Sequence, residues 1–300
     1  MTEPLSSRVD AIPKPASRPW FDTPNVRRIL VLAAILGLGL GVETIVLHVS
    51  TDPLADVHAY YDAGARLNAG LPLYDQAGGT NDPSFYRYPP LLAVAFRPLA
   101  LLPFGTAALV WQAILLIASA LTILRLGPRR KATWVILGML ALPIGWSLVI
   151  GQAQVVVTLL MAIGAPWSLA LAAHLKLFPA LAALWWVGRR DWGGLARFGL
   201  WTGGLTLVQL VLEPRGTLAY PAFLATDQVG HVNSVSPYVA SPWLWAALVV
   251  VGVVAALRWA PTRAGWALAV AISVLANPRL LVYQLSTLVA GLRAPDDRGR

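Results

Sequence analysis

Long apolar runs alternate with short polar breaks along almost the whole chain. Ile29–Val49 is the first, and Gly105–Leu126, Trp134–Ile150, Phe198–Leu212, Pro242–Leu257, Ala264–Ala276 and Leu280–Leu292 follow. Repeated runs of this kind are the pattern of helices that cross a bilayer, where every backbone polar group must be satisfied internally. Val155–Val187 is too long for one crossing and is broken at Gly164-Ala165-Pro166 and at Lys176-Leu177-Phe178-Pro179. Three short pieces are expected there, and interrupted helices at membrane depth are tolerated where they line a protein cavity. The pattern predicts an all-α integral membrane bundle of about eight full passes with further re-entrant or broken helices.

The longest polar interruption is the first outer loop, residues 51–104. It holds Asp52, Asp56, Asp62, Asp75 and Asp82 against Arg66, Arg87 and, near its end, Arg97. Loops of this length tend to carry function. Leu54–Asn68 predicts an amphipathic helix lying on the outer membrane surface, with Leu54, Val57, Tyr61 and Ala65 on one face and Asp56 and Tyr60 on another. Gly70 and Pro72 end it. Leu91–Leu102 holds Arg97 and Pro98 and is too short to span, so it reads as re-entrant or interfacial.

Charge orients the chain. The net charge of +9 is not a nucleic-acid signature, because the basic residues fall in short loops: Arg125 to Lys131, Arg189 to Arg197, Arg258 and Arg263. That is the positive-inside pattern, and Arg27 and Arg28 before the first run place the N-terminus in the cytoplasm. Residues 1–25 read as a cytoplasmic tail, not a cleavable signal. Residues 26–293 read as one transmembrane domain and 294–300 as a second cytoplasmic tail, in a multi-pass protein of the cell (plasma) membrane. There are no cysteines, which excludes disulfides and thiol catalysis.

With this orientation, four polar groups converge on the extracytoplasmic face: the Asp56 helix, Arg87-Tyr88, the Gly151-Gln152-Ala153-Gln154 turn, and the loop with His231 and Asn233. Lys176 and Arg279 join them from beside prolines. An intramembrane cation is expensive and usually has a partner. A carboxylate facing cations suits a hydroxyl attacking a sugar whose leaving group is a phosphate, with the carboxylate taking the proton and the cations stabilising the phosphate. Asp56 is therefore the candidate base. Tyr60, Tyr61, Arg87, Tyr88, Gln152, Gln154, Lys176, His231, Asn233 and Arg279 are candidate substrate-binding residues. Blander roles stand beside these: Asp56 as a helix cap, Arg87 as an interfacial anchor, Lys176 snorkelling. His58, His174 and Arg97 read as structural. No metal-ligand spacing, DxD pair, Walker loop or GxGxxG is present, so no metal or other cofactor is expected.

The residues ADVHAYYDAGARLNAGLPLYD followed by FYRYPPLLAVAFRPLALLP resemble the first outer loop of glycosyltransferase family 87, polyprenol-phosphate-mannose-dependent mannosyltransferases of the GT-C superfamily. GQAQ resembles that family's Gly-Gln-x-Asn turn, with Gln154 where Asn is usual. LKLFPAL resembles its Lys-x-x-Pro segment, RRDW its basic-Trp loop, and HVNSVS, without the usual Gln, its Asn-Gln-Ser stretch. The resemblance implies a GT-C fold, a polyprenyl-phosphate-sugar donor, a glycolipid or lipoglycan acceptor, and Asp56 in the place of the family's catalytic base. A lipid or sugar transporter, a flippase, and a non-catalytic partner subunit are the alternative readings.

Overall fold

A computed structural model describes residues 23–51, 53–76, 82, 84–128, 131–227 and 234–295, with side chains 225–227 left aside. The expected tails up to residue 22 and from residue 296, and the candidate ligands His231 and Asn233, lie outside the described residues. Every regular element among those described is a helix. In chain order they are α1 (Pro24–Thr51), α2 (Ala55–Asn68), α3 (Pro90–Phe96), α4 (Phe104–Leu126), α5 (Lys131–Met139), α6 (Ala141–Val149) and α7 (Gln154–Ile163). Then come α8 (Pro166–Leu175), α9 (Leu184–Gly188), α10 (Trp192–Leu212), α11 (Pro214–Asp227), α12 (Pro242–Trp259) and α13 (Gly265–Leu275). Two longer 3-10 segments, Phe178–Ala183 and Val282–Leu292, complete the frame.

Among the described residues, α1, α4, α10 and α12 are long and apolar enough to cross a membrane, and α5 with α6 forms a fifth candidate bent by 56°. The bend falls one turn before Pro143, which has no N–H for the carbonyl of Met139. These helices leave much apolar surface outward: Leu32, Leu36, Leu200, Val211 and Val251 are all exposed. That is the surface a bilayer covers. The last two apolar runs differ from the sequence reading. They form an 11-residue helix, α13, and an 11-residue 3-10 segment, both shorter than a crossing and packed on each other.

The short pieces fill the middle. The chain breaks at Gly164 and at Lys176, as expected, and the final piece starts as 3-10 turns before becoming α9. Helix α7 lies between α4 and Val282–Leu292, and α8 between α10 and Phe178–Ala183. Both are buried on most sides; α8 carries apolar residues nearly all round, whereas α7 sets Gln154 and Thr158 on one face.

Helices α2, α3 and α11 form the layer over this middle. The inward face of α2 is not the one its apolar spacing pointed to. Asp56, Val57, Tyr60, Ala63, Gly64 and Leu67 are buried, whereas Leu54, Tyr61 and Ala65 are only partly covered. The reason is local. At Gly64 a β-carbon would lie 2.8 Å from the backbone of Phe96, so α2 and α3 cross in contact at that glycine. Helix α11 falls in residues 213–241, the stretch with His231 and Asn233 that the sequence reads as a second outer loop. Glu213 starts the helix by accepting from the Gly216 N–H at 2.8 Å, with Pro214 at the first helical position.

Candidate functional site

The N-terminus of α2 is fastened to the end of α6. The N–H groups of Leu54 and Asp56 donate to the carbonyls of Val149 and Ile150 at 3.2 and 3.1 Å. Gly151 makes this approach possible. Its φ is +72°, and a β-carbon there would lie 2.1 Å from Val57 Cγ2. The Gly151 carbonyl accepts from Trp111 Nε1 at 2.8 Å. Asp56 is thus set by backbone bonds to a turn far away in sequence. It lies inside the helix, not at its cap: Leu54 is the cap, with φ 61°.

A chain of buried hydrogen bonds reaches the Asp56 carboxylate. The Ala153 N–H donates to Tyr60 Oη (3.2 Å), Tyr60 Oη to Gln152 Oε1 (2.5 Å), Gln152 Nε2 to Tyr88 Oη (3.1 Å), and Tyr88 Oη to Asp56 Oδ1 (2.9 Å). Burial pushes the Asp56 carboxyl above its ordinary range, opposed by the Lys176 charge, the Tyr88 hydroxyl and the Arg87 charge.

Tyr88 itself belongs to a braced loop. Tyr74 Oη donates to its carbonyl at 2.8 Å, and Gln76 bonds both the N–H and the carbonyl of Tyr86. Tyr86 Oη donates to Pro89 O and accepts from the Ala93 N–H, and Gln209 of α10 accepts from the Leu91 N–H. These bonds satisfy the start of α3. Tyr74 stacks on Phe223 of α11 with ring centres 4.5 Å apart.

On the other side of Tyr88 lies a cavity of about 470 Å³. Its polar wall is Arg87, Tyr88, Lys176, Asn277, Arg279, Tyr283 and Gln284; its apolar wall is mainly Leu177, Phe178, Leu181, Leu224 and Leu281. Lys176 ends α8 with an extended backbone, φ −150° and ψ 128°. Its ammonium is buried and has no hydrogen-bond partner among the described residues. It stands 5.0 and 4.9 Å from the ring centres of Tyr88 and Tyr283. Ring faces attract a cation but do not replace the acceptors an ammonium loses on leaving water.

The sequence candidates divide. Arg87, Tyr88, Lys176 and Arg279 line the cavity. Asp56 stands behind Tyr88, outside the cavity lining, and Tyr60 and Gln152 reach it through the Tyr88 hydroxyl, so those two position and do not line. Tyr61 turns away, meeting Phe104 edge-to-face and donating to Leu102 O at 2.7 Å. Gln154 also turns away: its Nε2 donates to Thr287 Oγ1 between α7 and Val282–Leu292. His174 bonds Ala170 O and Thr206 Oγ1, Arg97 pairs with Asn68, and His58 stacks on Phe104. Asn277, Tyr283 and Gln284 were not singled out by the sequence. In the Asn277-Pro278-Arg279 turn, only the arginine stands out by its charge in an apolar segment. Tyr283 and Gln284 sit in an apolar run whose 3-10 geometry places residues three apart in line, not at helical spacing. Among the described residues, no three His, Asp or Glu side chains group to hold a metal ion.

Fold and site together define a helical membrane protein with a cation-lined, apolar-walled cavity beside a buried carboxylate. The chain belongs to glycosyltransferase family 87, whose profile matches residues 85–283. Helix α2 with Asp56 precedes the matched residues. A polyprenol-phosphate-mannose-dependent alpha-(1-2)-phosphatidylinositol pentamannoside mannosyltransferase of Mycolicibacterium smegmatis is 35% identical over 161 residues, 47% of this chain and 39% of that protein. Its namesake in Mycobacterium tuberculosis is 28% identical over 255 residues, 76% of this chain and 57% of that protein. The matches thus span less than two thirds of either curated relative. No solved structure matches the chain at a significant level.

Proposed function

We propose that the chain is a membrane hexosyltransferase of GT-C type. It moves a hexose, mannose by the names of its relatives, from a polyprenyl-phosphate sugar to a glycolipid or lipoglycan hydroxyl. The reaction takes place on the extracytoplasmic side of the cell membrane, with both termini inside, as the basic loops direct. The acceptor oxygen attacks the anomeric carbon and the bond from that carbon to the phosphate oxygen breaks. The leaving phosphate keeps the bonding electron pair and Asp56 takes the acceptor proton. Arg87, Lys176 and Arg279 hold the phosphate, and the leucine-rich wall takes the start of the lipid chain.

The observation that carries this reading is the Lys176 ammonium. It is buried and lacks a hydrogen-bond acceptor among the described residues, in a cavity with two further cations and an apolar wall. A lipid phosphate supplies both the missing acceptor and the matching apolar surface. The test is transfer of labelled mannose from polyprenyl-phosphate-mannose in membranes containing the chain, with Lys176→Met alongside. Label in a lipid product, with a raised Michaelis constant for the donor in the variant, supports the reading. Movement of the donor lipid across proteoliposomes with no glycosidic bond formed establishes the transporter instead.

A further inference from the structure

The three cations do not complete the polar wall of the cavity, because two neutral amides, Asn277 and Gln284, also line it. An amide offers an acceptor on one side and donors on the other, and which side faces a ligand depends on its neighbours. Here two backbone N–H groups settle the matter. The Arg279 N–H donates to Asn277 Oδ1 at 3.0 Å, so the Asn277 nitrogen faces Gln284 and donates to Gln284 Oε1 at 3.2 Å. The Leu281 N–H donates to the same Gln284 oxygen, also at 3.2 Å. A backbone N–H cannot reverse its role, so neither amide can flip without losing such a bond. Gln284 Oε1 is thereby occupied twice. Its NH₂ group donates to none of the described residues, although the side chain is 93% buried (7% exposed).

We infer that Gln284 is a fourth anion-binding donor of this cavity, and that Asn277 is the positioning residue that holds its NH₂ toward the ligand. The inference rests on the lipid-phosphate reading and deepens it. Beside the tyrosine hydroxyls, the wall carries four donors that cannot accept: Arg87, Lys176, Arg279 and the Gln284 NH₂. Four such donors, three of them charged, suit an oxyanion better than a neutral sugar hydroxyl. The ligand chemistry is a phosphate monoanion or dianion, on a lipid or free.

The test measures dissociation constants of farnesyl phosphate and of inorganic phosphate for the purified full chain. Gln284→Glu keeps the oxygen that serves Leu281 and Asn277 but replaces the donor by a second oxygen. It is expected to weaken both ligands by roughly tenfold or more, the loss of a hydrogen bond to a charged group. Asn277→Asp sets an oxygen against Gln284 Oε1 and turns the amide round. The same loss is expected, and none beyond it once Gln284 is already replaced by Ala. A purely structural role for Asn277 would lower thermal stability and add its effect to that of Gln284→Ala. Unchanged binding in Gln284→Glu, or a loss for farnesyl phosphate alone, overturns the inference. Lys176→Met separates the two levels. If it weakens farnesyl phosphate while Gln284→Glu does not, only the Gln284 assignment fails. If Lys176→Met leaves both ligands untouched, the lipid-phosphate reading of the cavity fails with it.

Discussion

Asp56 and Lys176 face each other across one tyrosine. The carboxylate accepts from Tyr88 Oη at 2.9 Å, and the ammonium lies 5.0 Å from the centre of the same ring. Acceptor activation and phosphate stabilisation are thus assigned to opposite sides of Tyr88. Asp56→Asn retains an oxygen for Tyr88 and loses only the base. Transfer should fall by about 10²–10⁴-fold, with donor affinity little changed, as measured by initial rates against donor binding. The pH profile carries a second expectation. Only the ionised carboxylate accepts a proton, and burial holds its pKa above the 3.8 of a free aspartate. Activity should therefore rise with pH along a limb displaced above that value. Lys176 pulls the carboxyl down, so Lys176→Met should move the acid limb of kcat/KM to higher pH; an unmoved limb would dissociate the two groups. The stability sign follows. The folded state binds this proton more tightly than the unfolded chain, so the carboxyl favours folding at low pH. That contribution is lost as pH rises through the folded value.

Among the elements, the junction of α2 with the Gly151 turn decides where the base stands. Gly151→Ala introduces an L side chain at φ +72° and a β-carbon 2.1 Å from Val57 Cγ2. The backbone term alone costs about 1–2 kcal/mol. A shift of α2 by an ångström can cost on the order of 10²-fold in rate. Thermal denaturation and initial rates should both show the loss. Val57→Ala in the same chain should restore part of it, because it removes the collision but leaves the strained φ. Full restoration would mean that backbone conformation contributes nothing.

At the scale of the molecule, the outer layer of α2, α3 and α11 covers a centre of short broken helices, and α1, α4, α10 and α12 present apolar flanks. Sidedness can be tested directly because the chain has no cysteine. Ser84→Cys, on the exposed loop before Tyr86, should react with a membrane-impermeant maleimide on intact cells. Thr262→Cys, between α12 and α13, should react only after permeabilisation. The reverse pattern would place the cavity on the cytoplasmic side.

What the sequence determined is largely what one-dimensional pattern can carry. Apolar runs gave the long helices, prolines and glycines marked the breaks at Gly164 and Lys176, and a lone lysine beside a proline stood out against its apolar surroundings. The family was legible too, since its motifs are short and local. Tertiary structure alone decided the rest. The apolar spacing of α2 favoured the Leu54–Val57–Tyr61–Ala65 face, but of these only Val57 is buried, and the Gly64 crossing and the Val149 and Ile150 carbonyls turn Asp56 and Tyr60 inward beside it. Gln152 and Gln154 are two residues apart in sequence, yet one holds Tyr88 and the other bonds Thr287. Asn277 and Gln284 acquired a role only because two backbone N–H groups fix their amides. Hydropathy records which segments leave water. It does not record the direction of a hydrogen bond or which glycine lets two helices touch, and those contacts decide which side chains face the cavity.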